Sequence, residues 1–580
     1  MASAEGENSP RTVGIFFKSK YNKIKEVNHM IIEIHLPDQT VIQREFSTPV
    51  LARNLAKEYQ KQCPNPILTC RINHQDRSLH TLIGESCILE LCDLRTPSAN
   101  MSYQTSLTFL YNKAVHDVLG KDVKVAIWNS LNKGLYTTIR PGNFTAEDVK
   151  KVEARMKELV DMDITFIQRT IKREEIERIA EQKGTQKMFR NSPDVNEAEY
   201  CSILDESEIL FYHLLPSTGY LQAFELRKYH NGILLRFPHP LLSPEKVLPY
   251  EDQKMLYEAF SEAARWGRLM GINYASDLNE KMLTGDYKDL ILLSEALHEK
   301  KIAEIARMIH DSGKRMVLIA GPSSSGKTTF AKRLIIQLRV LGNNPLYMGT
   351  DDYFKERSET PVLENGKKDY ESLRAMDTDL LAKNMNELLE GKEADLPVYD
   401  FIAGEKKFGT RLTMIDHTQP IILEGIHALN PALTGGIPDE EKFKIYISPL
   451  TQVNIDPYNR IPTTDTRLLR RMVRDFQFRG YSANETIRNW PEVRAGEEKY
   501  IFPFNGEADV FFNSHALYEL AVLKKYAEPL LRKITPEENE YAEAVRLLDF
   551  LEFFVAMPDD SIIPNNSIMR EFIGGSVIVH

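Results

Sequence analysis

Near the start of the chain, apolar and polar residues alternate in two short runs, 30–36 and 40–46, separated by a Pro-Asp-Gln turn. Period-two alternation across a polar turn predicts a β-hairpin. An amphipathic stretch at 51–60 predicts a short helix, and strands near 67–73 and 87–93 complete a compact α+β unit over 29–95. The tract 96–100 (TPSAN) reads as a linker. From 98 to 290 the pattern is mixed. Helices are expected at 103–119, 146–161 and 169–182, and strands at 123–128, 220–226 and 231–237. A long helical segment, 287–312, leads into 315–320 (RMVLIA), a mostly apolar run of the kind found in a strand covered on both faces. Further apolar strands at 346–349, 420–423 and 443–447 alternate with helical segments, the first at 328–341. That alternation predicts a doubly wound parallel sheet over 291–535. The expected architecture is therefore multidomain, α+β followed by α/β. Residues 1–28 are expected to form a flexible arm, and 536–580 a segment packed on the α/β unit or its neighbour.

Composition narrows the function classes. The 580 residues are 42% hydrophobic and 27% charged, as in soluble globular proteins. No run of about 20 apolar residues is present, so no membrane span is expected. The first residues lack the apolar core of a secretory signal, which points to the cytoplasm. A net charge of −10 argues against nucleic-acid binding driven by bulk charge and leaves room for a local basic patch. The five cysteines, Cys63, Cys70, Cys87, Cys92 and Cys201, contain no C-x-x-C pair. Buried reduced thiols are expected rather than zinc.

The strongest chemical signal is Gly321, Pro322, Ser323, Ser324, Ser325, Gly326, Lys327, Thr328, which matches G-x-x-x-x-G-K-[ST]. It lies between a predicted strand and a predicted helix, the context that gives the pattern meaning. Glycines let main-chain N–H groups turn inward around phosphate oxygens, and the helix N-terminus adds positive potential. Lys327 is expected to reach the β- and γ-phosphates of a nucleotide and Thr328 to ligate Mg²⁺, with Thr329 completing the ATP-binding turn. Such a loop implies nucleotide binding and does not by itself imply a kinase.

Carboxylates and arginines supply the rest. Asp351 and Asp352 follow the second predicted strand, where the carboxyl ends of the strands face the ligand crevice. A carboxylate there can take the proton of an attacking hydroxyl, or cap a helix. Glu424 closes another apolar strand and can hold the Mg²⁺ shell or serve as a structural carboxylate. Arg467, Arg471 and Arg474 share one helical face by their spacing, and Arg479 follows. Arginines over a triphosphate neutralise the charge that builds up during transfer.

Together with the segments 396–401 (LPVYDF), 422–425 (ILEG) and 465–475 (DTRLLRRMVRD), these residues resemble the uridine kinase and phosphoribulokinase family. The resemblance implies ATP and Mg²⁺ as cofactors and transfer to the 5′-hydroxyl of a nucleoside. It implies Asp351, not Asp352, as general base, Asp369 on ribose hydroxyls, Tyr399 on the base, Arg474 and Arg479 as lid arginines on ATP, and Arg471 on the substrate side. Two positions depart from the pattern. The histidine that reads the pyrimidine is replaced by Gly404, and the arginine after the lid R-G is replaced by Tyr481. Both fall in the acceptor pocket, so the acceptor is less defined than the transfer.

Upstream, 30–93 resembles a TGS domain, the β-grasp module of threonyl-tRNA synthetase. Residues 100–240 are similar to that synthetase's second additional domain, through 124–136 (KVAIWNSLNKGLY) and 216–220 (PSTGY). The editing histidine pair of that domain falls on Thr105 and Phe109, so editing activity is not expected. Segments 459–464 (NRIPTT) and 566–574 (NSIMREFIG) match a multidomain kinase family that carries all three modules. A homo-oligomer of undefined order is expected. Two other readings stand beside the nucleoside kinase. One is a nucleotide-gated RNA-binding or regulatory protein, with Lys150, Lys151, Arg155 and Lys157 as a basic patch. The other is a kinase of a different small substrate, such as a sugar phosphate.

Overall fold

Side-chain alternation in Met30–His35 turns Met30, Ile32 and Ile34 inward, and Val41–Phe46 pairs with that strand antiparallel. Cys87–Cys92 runs parallel to Met30–His35 and antiparallel to Thr69–Ile72, giving a five-stranded mixed sheet. The helix Ala52–Tyr59 covers it with Ala52, Leu55, Ala56 and Tyr59. This computed structural model describes residues 29–363 and 366–579; the expected arm over 1–28 lies outside the described residues. The linker expected at 96–100 is instead the first turn of a helix, Pro97–Leu119. Proline at a helix's first position loses no hydrogen bond, because that N–H has no partner within the helix.

The second unit is built on a four-stranded antiparallel sheet in the order Glu225–Tyr229, Gly232–Arg236, Gly134–Arg140, Lys124–Leu131. Helices Pro97–Leu119 and Ala146–Asp161 pack together, and both contribute to the apolar core on one face of this sheet. The helix expected at 169–182 is split. Ile167–Lys172 is a strand paired with Glu197–Ile203, and the helix begins only at Arg173. Cross-strand pairing there overrides a local charge pattern that reads as helical. The strand expected at 220–226 starts later, as Glu225–Tyr229.

The third unit is entered through the helices Lys254–Leu269, Ala275–Thr284 and Tyr287–Ser312. Its sheet is wholly parallel, in the order Leu346–Gly349, Ile421–Glu424, Met316–Ala320, Lys442–Ser448, Val510–Asn513. Every residue of Met316–Ala320 and Ile421–Glu424 is buried, as continuous apolar runs covered on both faces require. The residues after 535 fold back on this unit. Arg546 donates to Asp465 at 2.7 Å, and Glu571 accepts from the Thr329 N–H at 3.3 Å. The second and third units also touch directly: Ile127 N–H donates to Pro457 O at 2.8 Å, and Lys133 pairs with Glu498 at 2.9 Å. Among the described residues no helix is long and apolar enough to cross a membrane. The five cysteines are free thiols, four of them buried.

One buried ion pair sits at the centre of the third unit. Arg470 and Glu519, both fully buried, join the helices Thr463–Phe478 and Glu519–Leu531, with Arg470 Nη2 donating to Glu519 Oε2 at 2.6 Å. Burial would raise the Glu519 pKa; Arg470 and His515 outweigh it and bring it down to about 2. A folded-state pKa below the unfolded value near 4.3 contributes stability above that value, lost as pH falls toward about 2. Replacing Glu519 by alanine strands a buried guanidinium and should cost about 3–5 kcal/mol. The check is thermal unfolding at pH 7, where a midpoint unchanged from wild type would contradict this account.

Candidate active site

The sequence requires a tight turn after Met316–Ala320, and two glycines make it. A Cβ at Gly321 would lie 2.1 Å from Ile447 O, and Gly326 has φ 80° with Ile568 Cγ2 2.5 Å from where its Cβ would stand. Ser324 shares the left-handed region at φ 60°. The helix Lys327–Val340 then begins with Lys327 and Thr328 partly exposed and Thr329 buried.

Turning amides inward leaves the carbonyls of the loop pointing outward, where they need donors. Arg467 Nε donates to Ser323 O at 3.1 Å, Arg470 Nη1 to Ser324 O at 3.3 Å, and Ser514 Oγ to Ser325 O at 2.6 Å. Arg467 in turn pairs with Glu497, which also accepts from the Ser323 N–H at 3.1 Å. The buried hydroxyls of Ser324 and Ser325 have no hydrogen-bond partner among the described residues. Pro322 is buried, and its carbonyl accepts from Lys327 Nζ at 3.3 Å.

The acidic groups converge beside this loop. Glu424, at the carboxyl end of its strand, accepts from Thr328 Oγ1 at 3.1 Å and from Tyr347 at 2.9 Å. Burial raises its pKa; Lys327 opposes the shift and Asp351 adds to it. Asp351 lies in the turn Thr350–Tyr353 after Leu346–Gly349. Its carboxylate makes no hydrogen bond or ion pair among the described residues; the residue keeps an exposed edge to solvent, and partial desolvation by the surrounding cleft raises its pKa against the pull of Lys327, Arg479 and Arg474. Asp352 differs: it accepts from Arg411 at 3.1 Å and from the Tyr399 N–H at 3.3 Å.

The arginine face is only partly as the spacing predicts. Arg467 is 2% exposed and committed to the loop carbonyl and Glu497. Arg471 donates from Nη1 to Ser323 Oγ at 2.8 Å. Arg471, Arg474 and Arg479 all gather on the single buried carboxylate of Asp475, at 3.2, 2.8 and 3.6 Å. Three cations on one carboxylate leave positive charge uncompensated. Burial, and then Arg474, lower the Arg479 pKa accordingly. An anion in the cleft relieves that repulsion.

On the far side of Asp351, Phe354, Tyr370, Tyr399 and Phe401 form a chain of ring contacts, with Tyr399 to Phe401 at 5.0 Å between centroids. Tyr399 is buried, and its hydroxyl donates to Lys355 O at 3.3 Å. Asp369 accepts from the N–H groups of Glu371 and Ser372. At Gly404, φ is 78° and the Arg357 side chain fills the space a side chain would take. Tyr481 is exposed.

Sequence reasoning missed Glu371, Glu497, Glu571 and Tyr347. Burial, reinforced by Glu497, pushes Glu371 up to about 7, while Arg471 and Lys327 pull it down. Gly496 was its one sequence trace: a Cβ there would lie 2.5 Å from Glu371 Cβ. In the upstream unit, Thr105 and Phe109 are buried, and Phe109 sits in the apolar core. The basic patch considered for RNA is largely paired internally: Arg155 with Asp117 and Glu158, Lys157 with Glu153, Lys151 with Asp148.

The Phosphoribulokinase / Uridine kinase family matches residues 316–520. A uridine kinase of Ligilactobacillus salivarius is 30% identical over 219 residues, which are 37% of this chain and 93% of that protein. Uridine kinases of Bacillus licheniformis and Halalkalibacterium halodurans are each 31% identical over 204 residues, 34% of this chain and 86% of theirs. The likeness thus takes in most of each relative and about a third of this chain. Through its parallel-sheet unit, with the nucleotide loop, the acidic cleft and the arginine helix in place, the chain belongs to the phosphoribulokinase and uridine kinase family of kinases.

Proposed function

We propose that the chain transfers the γ-phosphoryl group of ATP to the 5′-hydroxyl of a nucleoside, with uridine and cytidine the first candidates. One observation carries the reading: an unpaired carboxylate, Asp351, stands in the field of Lys327, Arg474 and Arg479 at the carboxyl end of a parallel sheet. Its neighbour Asp352 is consumed by Arg411 and the Tyr399 amide, so Asp351 is the carboxylate available to an incoming hydroxyl.

In this mechanism the main-chain amides from Ser324 to Thr328 and the Lys327 ammonium hold the triphosphate, while the Ser323 and Thr329 amides stay bonded to Glu497 and Glu571. Thr328 and Glu424 would hold Mg²⁺, which when bound supplies neutralisation of phosphate charge. The bonded Thr328 hydroxyl and the desolvated, Tyr347-anchored carboxylate fit that role. Asp351 takes the acceptor hydroxyl's proton as the oxygen attacks the γ-phosphorus and the bond to the ADP oxygen breaks. Arg474 and Arg479, already crowded on Asp475, stabilise the charge on the transferring group. Asp369, Tyr399 and Arg471 form the acceptor side. The upstream resemblance extends the proposal: the mixed sheet with its parallel central pair supports a TGS-like β-grasp over 29–95, and 98–290 is read as an editing-like module without editing chemistry. The segment 536–580 is read as part of the kinase unit, on its contacts with Asp465 and Thr329.

A second acceptor class has its own observation. Arg357, which fills the place of the pyrimidine-reading histidine, has no acidic partner within ion-pair distance among the described residues. A guanidinium there suits a phosphorylated sugar as well as a base carbonyl.

Three outcomes are expected. Asp351→Asn should lower kcat by about 100- to 10,000-fold with ATP affinity largely kept, whereas Lys327→Ala should weaken both; a near-normal kcat for Asp351→Asn rules out the base assignment. In wild type, kcat should fall with decreasing pH through a pKa above the ordinary aspartate value of about 3.9, because the raised pKa of Asp351 marks where the base becomes protonated. That acid limb should be missing from the residual Asp351→Asn rate. An ATP-coupled screen over nucleosides and sugar phosphates should yield uridine or cytidine monophosphate. Turnover of a sugar phosphate alone would shift the acceptor to the second class, and turnover of none would remove the kinase reading.

A further inference from the structure

Away from the nucleotide loop, a cavity of about 530 Å³ lies between the strands Lys124–Leu131 and Gly134–Arg140 and the helix Lys254–Leu269. It shares no residue with the proposed kinase site. It also lies on the opposite sheet face from helix Pro97–Leu119. Thr137 Oγ1 bonds the Tyr111 hydroxyl of that helix at 2.9 Å, while its neighbour Thr138 accepts from Trp128 Nε1 at 2.7 Å in the cavity wall. Successive strand residues point to opposite faces, so the two surfaces are separate.

The lining has three chemistries. Trp128, Tyr136, Tyr257 and Phe260 supply aromatic surface, with the Trp128 indole fixed by Thr138 and Tyr257 stacked on His230 at 4.2 Å. Arg140 and Arg268 supply two exposed guanidiniums with no acidic partner within ion-pair distance among the described residues, in a chain of net charge −10. Gln452 also lines the cavity, and its Oε1 is buried without a hydrogen-bond partner among the described residues. Locked rings suit a flat π-system, unpaired guanidiniums an anionic group, and the amide a polar edge. The volume falls in the range of small-molecule sites, about 300–1,000 Å³.

We propose that this cavity is a second small-molecule site, taking a flat aromatic ligand that carries a phosphate, of the size of a nucleoside monophosphate. Its wall is joined to the phosphate loop. The same hairpin turns at Lys133, whose ammonium pairs with Glu498 at 2.9 Å. Glu498 pairs with Arg494 at 2.8 Å and Arg494 with Glu497 at 2.7 Å, and Glu497 accepts from the Ser323 N–H of the loop. On this proposal the line of ion pairs is the path by which occupancy of the cavity alters the grip on ATP.

The test uses the full chain with Trp266→Phe and Trp490→Phe, leaving Trp128 as the sole tryptophan. Adenosine monophosphate and uridine monophosphate are titrated against its emission, with adenosine and inorganic phosphate as separate arms. At least one monophosphate should give a saturable change that survives Lys327→Ala. The fragments, and the monophosphate on the Arg140→Gln/Arg268→Gln variant, should bind about tenfold or more weaker. Circular dichroism confirms that this surface variant is folded. No saturable change with either monophosphate overturns the site, as does a change lost with Lys327→Ala or kept in the double arginine variant. For the coupling, ATP affinity should shift about fivefold or more at saturating monophosphate, and Lys133→Met should abolish the shift while the Trp128 response remains. An absent shift, or one that survives Lys133→Met, overturns the transmission.

Discussion

The kinase unit depends on a loop whose backbone is held from behind so that its front stays open. Main-chain amides can cradle a phosphate only if something else satisfies the carbonyls that turn away. Here Arg467, Arg470 and Ser514 do so for Ser323, Ser324 and Ser325. Those arginines would be untenable in the core without Glu497 and Glu519, which balance them at full burial. Glu571 and Ile568, from the end of the chain, finish the support: one accepts from the Thr329 amide, the other packs where Gly326 has no side chain. The ion pairs beneath the loop therefore serve geometry more than net stability, since buried pairs seldom exceed their desolvation cost.

This division explains what could be read from the sequence. The phosphate loop, its strand and its helix were legible because their requirements are local: an apolar run, two glycines, a lysine and a hydroxyl in fixed order. The carboxylates at strand ends were legible by the same logic. Glu371, Glu497, Glu519 and Glu571 were not. Each matters through a partner brought near by folding, such as Glu571 to Thr329 across 242 positions. Periodicity also told only part of the arginine helix. It placed Arg467 with Arg471 and Arg474 on one helical face, and Arg467 and Arg471 do both reach Ser323, but it gave no sign that Arg467 is 2% exposed and bound to the loop carbonyl and Glu497. The strand at Ile167–Lys172 carries a helical pattern in its sequence and is hidden for a related reason, because its pairing partner lies about 30 residues on.

The units upstream of the kinase are joined to it by polar contacts of defined geometry as well as by apolar packing. Asn454 donates to Ile127 O, and Asn459 donates both to Asp456 and to Ile209 O. This gives the tract 459–464 a physical role: it ends the path out of the parallel sheet and fixes the upstream unit against it. Asn279 does the same on the other side, donating to Phe553 O and Asn191 O while accepting from the Val555 N–H. Side-chain amides suit such junctions because each carries donors and an acceptor with no charge to desolvate. Kinase relatives that match only a third of the chain carry no information about these joints, so their logic comes from geometry alone.

The surroundings of Gly404 constrain the pocket proposed for the acceptor. A histidine at 404 could not be introduced without moving its neighbours. The backbone there has φ 78°, and a Cβ would lie 2.8 Å from Arg357 Cβ and 2.9 Å from its Nε. The Arg357 guanidinium is held in place by the Phe401 carbonyl at 2.7 Å, on the same short hairpin as Tyr399. A neutral imidazole donates at one nitrogen and accepts at the other, whereas a guanidinium only donates. On the proposed reading, an acceptor that meets this guanidinium must present a lone pair, from a carbonyl, a hydroxyl, a ring nitrogen or a phosphate. An exocyclic amino group pointed the same way would face another donor and lose its hydrogen bond to water without replacement. On that reading the phosphate machinery is untouched, and the choice of acceptor turns on which lone pair it presents to Arg357.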